Sequence, residues 1–311
     1  MGTKPTINAL HVPAGAHPRL TLRSAVAWSD YWALTKPEVN TLIAVATFAG
    51  FYLGYPGELS SFPFWLLIHT LAGTLLVASG TATLNQYLER RFDAQMRRTT
   101  RRPLAAGRLS PESALRFGIL LSVAGEIYLA LAVNALASLT AAVTLASYLF
   151  IYTPLKRKTP LCTLAGAFPG AMPPLIGWAA ATGTLSLGAW ILYAMLFLWQ
   201  FPHFMSIAWI YREDYARAGY LVLPAGERKG QFVAVGSVLP LLLLLLVCIV
   251  PTLLGQAGLP YAIAALVLAL AFLYSGIQLA FRRSNAVAKR LLFASIIYLP
   301  LAFLLMMICK P

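Results

Sequence analysis

Residues 84–103 read LNQYLERRFDAQMRRTTRRP, and the placement of this stretch decides the fold. Asn85, Glu89 and Asp93 recur every four residues, so on a helix they share one face, each a turn from the next. An amide and two carboxylates offer oxygen ligands to a hard cation such as Mg2+. The stretch then turns basic through Arg97, Arg98, Arg101 and Arg102, and the planar fork of arginine donors suits phosphate. Carboxylates followed at once by arginines point to a magnesium-diphosphate site. In a soluble protein the same pattern would read as a helix end laced by i,i+4 ion pairs such as Asp93 with Arg97. Here the stripe continues an apolar run that begins near residue 64. Ionisable residues carried on a membrane span are functional candidates by default.

Outward from that stretch, the 311-residue chain is 59 % hydrophobic and only 11 % charged, whereas soluble domains carry about 25 % charged residues. Apolar runs of about 20 residues, the length that spans a bilayer, recur along the whole sequence. The expected fold is an all-α integral membrane protein, a nine-transmembrane helical bundle. Its spans fall near residues 39–55, 64–85, 114–133, 135–152, 161–181, 187–210, 232–254, 260–281 and 286–308. The fifth is interrupted by Pro169, Gly170, Pro173, Pro174 and Gly177. Such breaks are tolerated only where the freed backbone is covered by protein or faces a cavity. Residues 37–311 then form one membrane domain. Residues 1–36 form a basic tail and an interfacial segment. Residues 1–24 hold no apolar run of signal-peptide type and are expected to stay in the cytoplasm, with His11 and His17 solvated. Trp28, Tyr31 and Trp32 suit a short interfacial helix ahead of Pro37.

A net charge of +14 raises the question of a nucleic acid partner. The distribution argues against one. With nine spans, 23 of the 24 lysines and arginines fall in the tail or in loops on a single side, and only Lys310 falls on the other. The positive-inside rule accounts for this split, placing the N-terminus in the cytoplasm and the C-terminus outside. Cys162, Cys248 and Cys309 show no paired spacing, so neither a disulfide framework nor a zinc site is indicated. They read as small buried hydrophobes.

A second polar cluster lies at residues 199–224, WQFPHFMSIAWIYREDYARAGYLVLP. Glu213 and Asp214 fall where the sixth span meets the cytoplasm, at the expected depth of Glu89 and Asp93, with Arg212 and Arg217 close by. Two such acid pairs could hold cations that bridge a diphosphate; the alternative is an exposed loop of mixed charges. His203 lies within the span beside Pro202. It could donate a hydrogen bond, shuttle a proton, meet a metal or simply bond to a neighbouring helix. His69 reads as structural, and Glu126 as a group paired within the bundle.

Six stretches together resemble the intramembrane prenyltransferases of the UbiA superfamily. They are LTKPEV at 34–39, NQYLERRFDAQMRRTTRRPL at 85–104, YTPLKRKTP at 152–160, GAMPPLIGW at 170–178, WQFPHF at 199–204 and YREDYARAGYLVLP at 211–224. PPLIGW and WQFPHF are similar to the heme-farnesylating branch. That resemblance implies transfer of a farnesyl group from farnesyl diphosphate to a vinyl group of heme B, with Mg2+. It implies a bacterial inner membrane, the lipid bilayer as surroundings and a heme A synthase downstream. By position it implies Asn85, Glu89, Asp93 and Asp214 as catalytic and metal-binding residues. Arg97, Arg101, Arg102, Lys156, Arg212, Glu213 and His203 become substrate-binding, His203 on the heme side. The sequence departs from the family pattern in three places. Ala218 stands where the second acidic motif usually ends in Asp, Tyr211 stands where another member has an acid, and Cys162 replaces an expected Asn. Two other readings stay open. One is prenylation of an aromatic ring such as 4-hydroxybenzoate or a chlorin, against which WQFPHF argues. The other is a transporter, which would carry charges near the midplane and often shows inverted repeats.

Overall fold

The computed structural model describes residues 28–226 and 228–310, and the expected tail with His11 and His17 lies outside them. All regular structure among the described residues is helical. A short helix, α1 (Trp28–Leu34), leaves Trp28 and Trp32 largely exposed and buries Leu34, as an interfacial helix should. It leads into α2 (Pro37–Gly54) and, past a single 3-10 turn, into α3 (Phe64–Asp93). The 30 residues of α3 reach about 45 Å at 1.5 Å per residue. They carry Asn85, Glu89 and Asp93 on the same continuous rod as the apolar run. Next come α4 (Pro111–Ala132) and α5 (Ala135–Ala146); a π-helical turn at Ser147–Tyr152 joins α5 to α6 (Thr153–Leu155). A broken pair, α7 (Cys162–Gly170) and α8 (Pro173–Thr182), precedes α9 (Leu187–Ile210) and the short α10 (Arg212–Arg217). The chain closes with α11 (Arg228–Val247), α12 (Val250–Leu253), α13 (Leu259–Arg282) and α14 (Asn285–Ile308).

Seven stretches among the described residues are long and apolar enough to cross a membrane: α3, α4, α5 through α6, α9, α11 through α12, α13 and α14. The chain is a multi-pass helical membrane protein. The expected first and fifth spans correspond to α2 and to the pair α7–α8. The first is moderately polar and the second is divided, so neither meets the same criterion of length and hydropathy.

Small residues set the closest helix approaches, as they do where hydrocarbon surrounds the bundle. Gly73 and Gly80 on α3 leave room for Leu129 and Ser122 of α4, and Gly118 and Gly125 on α4 leave room for Leu84 and Val77 of α3. On α8, Gly177 lies against the Thr47 carbonyl of α2. The α7–α8 break is supported from α9, where the Gln200 amide donates to the Ala167 carbonyl at 3.1 Å. Pro169, Gly170 and Pro173 face the main cavity. The sequence condition for such a break is met on both counts.

The arginine segment does not continue the helix. α3 ends at Asp93, and residues 94–109 form successive turns. Pro103 has no amide hydrogen, and four arginines within six residues would repel one another on a helix face. The Thr99 hydroxyl donates to the Asp93 carbonyl at 2.8 Å, closing the helix end. The segment curls back, so Asp93 pairs with Arg102 at 2.7 Å and not with Arg97, the partner helical spacing would select. Arg108 bonds Asp30 at 2.8 Å, fastening α1 to the same segment.

Candidate active site

A cavity of about 530 Å3 runs into the bundle between α2, α3, α7 and α9. Its polar end is built by α3, by the turns after it and by the loop after α6. Asn85, Glu89 and Asp93 all line it and are all buried. Each has a partner. The Asn85 amide donates to the Thr153 hydroxyl at 3.1 Å, and its carbonyl oxygen accepts from Lys36 at 3.3 Å. Glu89 accepts from Lys156 at 2.7 Å. Asp93 Oδ2 accepts from Arg102 at 2.7 Å, while Oδ1 is buried with no hydrogen-bond partner among the described residues.

Two lysines at this end have opposite electrostatics. Burial alone would lower the Lys156 amine, but Glu89 outweighs it and holds Lys156 well above the usual lysine range. For Lys36, enclosure dominates, with Arg102 beside it adding to the effect, and the amine is pushed down to about 7. Lys36 also has φ 53° and ψ 65°, a left-handed conformation for a residue that precedes proline. Its neighbour Pro37 disfavours helical conformations at that position, so the backbone here is strained. Lys36 was legible only as part of LTKPEV; tertiary packing is what brings it onto Asn85.

The other expected site residues divide. Arg102 and Lys156 line the cavity, as does Arg98. Arg97 and Arg101 are exposed and do not line it. Glu213 is exposed, and its side chain lies 3.8 Å from Arg212, which bonds instead to the Trp209 carbonyl and to Asn285. Asp214 is buried but is not part of the cavity wall. One of its oxygens accepts from the Arg98 backbone N–H at 3.2 Å and the other from Arg217 at 3.1 Å. The second acidic pair therefore does not face the first across the cavity. Asp214 ties the arginine turns to α10. Met96, Ala218 and Tyr220 pack around that junction, and the Leu221 N–H donates to the Lys156 carbonyl at 2.7 Å. Three loops are thereby locked over one mouth.

Below the mouth the walls become apolar and aromatic. Tyr148 and Tyr152, on the π-helical turn, line the cavity, and Lys156 sits 4.4 Å from the Tyr152 ring centroid. Extra residues per turn of this kind often re-aim side chains at functional sites. Further in stand Trp199 and His203, stacked at 4.8 Å. His203 lies seven residues, about 10 Å at 1.5 Å each, inside the end of α9. Its Nδ1 meets the Ser295 hydroxyl of α14 at 2.8 Å. That hydroxyl also bonds the Leu292 carbonyl at 2.6 Å, and Nε2 is the ring nitrogen left free of this link. The histidine thus bonds a neighbouring helix, and it also lines the cavity. His69 bonds the Tyr128 hydroxyl at 2.7 Å, and Glu126 bonds Ser138, so both are structural links.

The donor set fits Mg2+. No cluster of three or more His, Cys, Asp or Glu side chains that would cage a metal by itself occurs among the described residues. Mg2+ is commonly held by one or two carboxylates together with substrate phosphates. Glu89, the unpartnered Asp93 Oδ1 and the Asn85 carbonyl oxygen offer that arrangement.

A helical membrane bundle with a deep cavity, acids and cations at its mouth and aromatic walls behind them has the makings of an enzyme for an anionic substrate with an apolar tail. The sequence comparison agrees: residues 43–297 match the UbiA prenyltransferase family. The chain belongs to that family and is a prenyltransferase. It is similar to a protein of Solibacter usitatus named protoheme IX farnesyltransferase, with 49 % identity over 288 residues, 91 % of this chain and 99 % of the relative. The fold is shared with a digeranylgeranylglyceryl phosphate synthase at a TM-score of 0.74 and 15 % identity, covering 90 % of this chain and 97 % of the other. It is also shared with a UbiA homolog from Archaeoglobus fulgidus bound to GPP and Mg2+, at a TM-score of 0.57 and 14 % identity, covering 89 % and 99 %.

Proposed function

We propose that this enzyme transfers a farnesyl group from farnesyl diphosphate to a vinyl group of heme B, with Mg2+, at a mouth facing the cytoplasm. The observation that carries this reading is a cavity that Asn85, Glu89, Asp93, Lys36, Arg102 and Lys156 line together with Trp199 and His203. The name of the Solibacter usitatus relative supports the acceptor. The Archaeoglobus fulgidus homolog, bound to GPP and Mg2+, supports the metal and the class of donor.

An allylic diphosphate ionises when its leaving group is neutralised as negative charge grows in the transition state. Mg2+ held by Asn85, Glu89 and Asp93 would supply part of that neutralisation. Arg102 and Lys156 supply fixed cations. Lys36 is poised to take up a proton when an anion arrives. The farnesyl chain lies along the apolar wall, and the cavity excludes bulk water until the vinyl group has attacked the allylic carbon as diphosphate leaves; water then adds to the cation left beside the porphyrin ring and releases a proton. The faces of Tyr148 and Tyr152 stabilise developing positive charge. On the acceptor side, Nε2 of His203 is positioned to meet the porphyrin. Asp214 acts by holding the Arg98 segment in place. The surroundings are a bacterial inner membrane, with nine spans, the N-terminus inside and the C-terminus outside; a heme A synthase would take up the product.

The test is a product assay on membranes containing the enzyme, with farnesyl diphosphate, Mg2+ and either heme B or 4-hydroxybenzoate, read by mass. A farnesylated heme and no farnesylated 4-hydroxybenzoate is the expected result. The reverse pattern would assign the enzyme to aromatic acceptors.

A further inference from the structure

A second cavity, of about 640 Å3, lies against α3, the π-helical turn and α6. Leu88 and Phe150 line it, and they are 44 % and 73 % exposed. Both lie on segments long and apolar enough to cross a membrane, Leu88 near the polar end of its helix, so this wall continues the apolar outer surface of the bundle toward the polar border. At its other end stand Arg157 and Lys158, both exposed. The Arg157 guanidinium lies over the Phe92 ring at 4.3 Å from its centroid. Neither Arg157 nor Lys158 forms an ion pair among the described residues. The carboxylates nearby are engaged elsewhere: Glu89 by Lys156, Asp93 by Arg102 and Asp214 by Arg217.

Two unneutralised cations directly above an exposed apolar wall form the complement of an amphiphile with an anionic head. We propose that this groove binds an anionic membrane phospholipid. The phosphate sits between Arg157 and Lys158, and an acyl chain lies along Leu88 and Phe150. Stacking on Phe92 fixes the guanidinium plane and leaves its N–H edges for phosphate oxygens. The occupant is a phospholipid and not the prenyl donor, because Asn85, Asp93 and Arg102, which belong with the donor's diphosphate, do not border this groove. The groove shares Thr153 with the bond to Asn85, so a lipid there braces the turn that carries Lys156.

The test uses the full chain purified in phosphatidylcholine nanodiscs, with phosphatidylglycerol titrated in and retained lipid counted by native mass spectrometry. One tightly retained phosphatidylglycerol is expected. Each near-surface basic residue contributes about fivefold to such binding, so the pair Arg157→Gln with Lys158→Gln should weaken it about thirtyfold. The pair Lys289→Gln with Arg290→Gln, equally exposed cations away from the groove, should leave it unchanged. Phe150→Ser, at an exposed position, should weaken retention by itself and guards against misfolding of the charge variant. Equal retention in the Arg157/Lys158 variant, or equal loss in the control pair, would overturn the proposal. So would displacement of the lipid by soluble pyrophosphate or by one equivalent of farnesyl diphosphate, which would assign the groove to a free anion or to the donor.

Discussion

At the scale of single residues, the two carboxylates of α3 differ in what holds them, and their substitution should differ accordingly. Asp93 keeps one oxygen free of any partner among the described residues, and its other partner, Arg102, is partly open to solvent. Asp93→Asn should therefore abolish turnover, by at least a hundredfold, and leave the melting temperature nearly unchanged. Glu89→Gln should also abolish turnover but should destabilise the protein, because it leaves the largely enclosed Lys156 without its counter-charge, at a cost approaching the roughly 3–5 kcal/mol of a broken buried pair. Adding Lys156→Met to Glu89→Gln should restore melting without restoring activity. Turnover of either single variant within about tenfold of the parent, equivalent to 1.4 kcal/mol in barrier, would count against metal coordination there. The α3 stripe was legible in the sequence because a helix repeats its face every four residues, and α3 remains a helix as far as Asp93. Lys36 was not, since its contact with Asn85 spans 49 residues and depends on a left-handed backbone that no local pattern announces.

At the scale of elements, the arginine turns and α10 show what surrounds the second acidic cluster. Glu213 and Asp214 do sit at the end of the sixth expected span. However, Tyr211 ends α9 and starts a separate helix, which sends Glu213 outward and Asp214 toward the Arg98 backbone. Asp214→Ala should therefore loosen the arginine turns. Steady-state kinetics should show KM for farnesyl diphosphate raised about tenfold with kcat within about threefold. A metal ligand would give the opposite, a fall in kcat of a hundredfold or more with altered Mg2+ dependence. The break between α7 and α8 was legible, because Pro169, Gly170 and Pro173 announce it. What covers it was not, since the covering group, Gln200, comes from a different helix.

At the scale of the whole molecule, the helices and their rough positions follow from hydropathy, and the basic loops carry the expected orientation. The cavity does not follow, because its walls come from helices far apart in sequence. Single cysteines placed at exposed positions of the arginine turns, such as Ala106, in a background without the native three, should be labelled by an impermeant thiol reagent only when the cytoplasmic face is open. Labelling from outside intact cells would overturn the orientation. The most direct measurement of the central claim, that one cavity holds donor and acceptor at separate ends, is ligand binding by purified His203→Ala. His203 stands about 10 Å inside the end of α9 at 1.5 Å per residue, bonded to Ser295 of α14 and to none of the polar groups of α3. The variant should bind farnesyl diphosphate with Mg2+ as the parent does, and should bind heme B at least tenfold more weakly. Lost farnesyl diphosphate binding with intact heme binding would contradict the two-ended cavity.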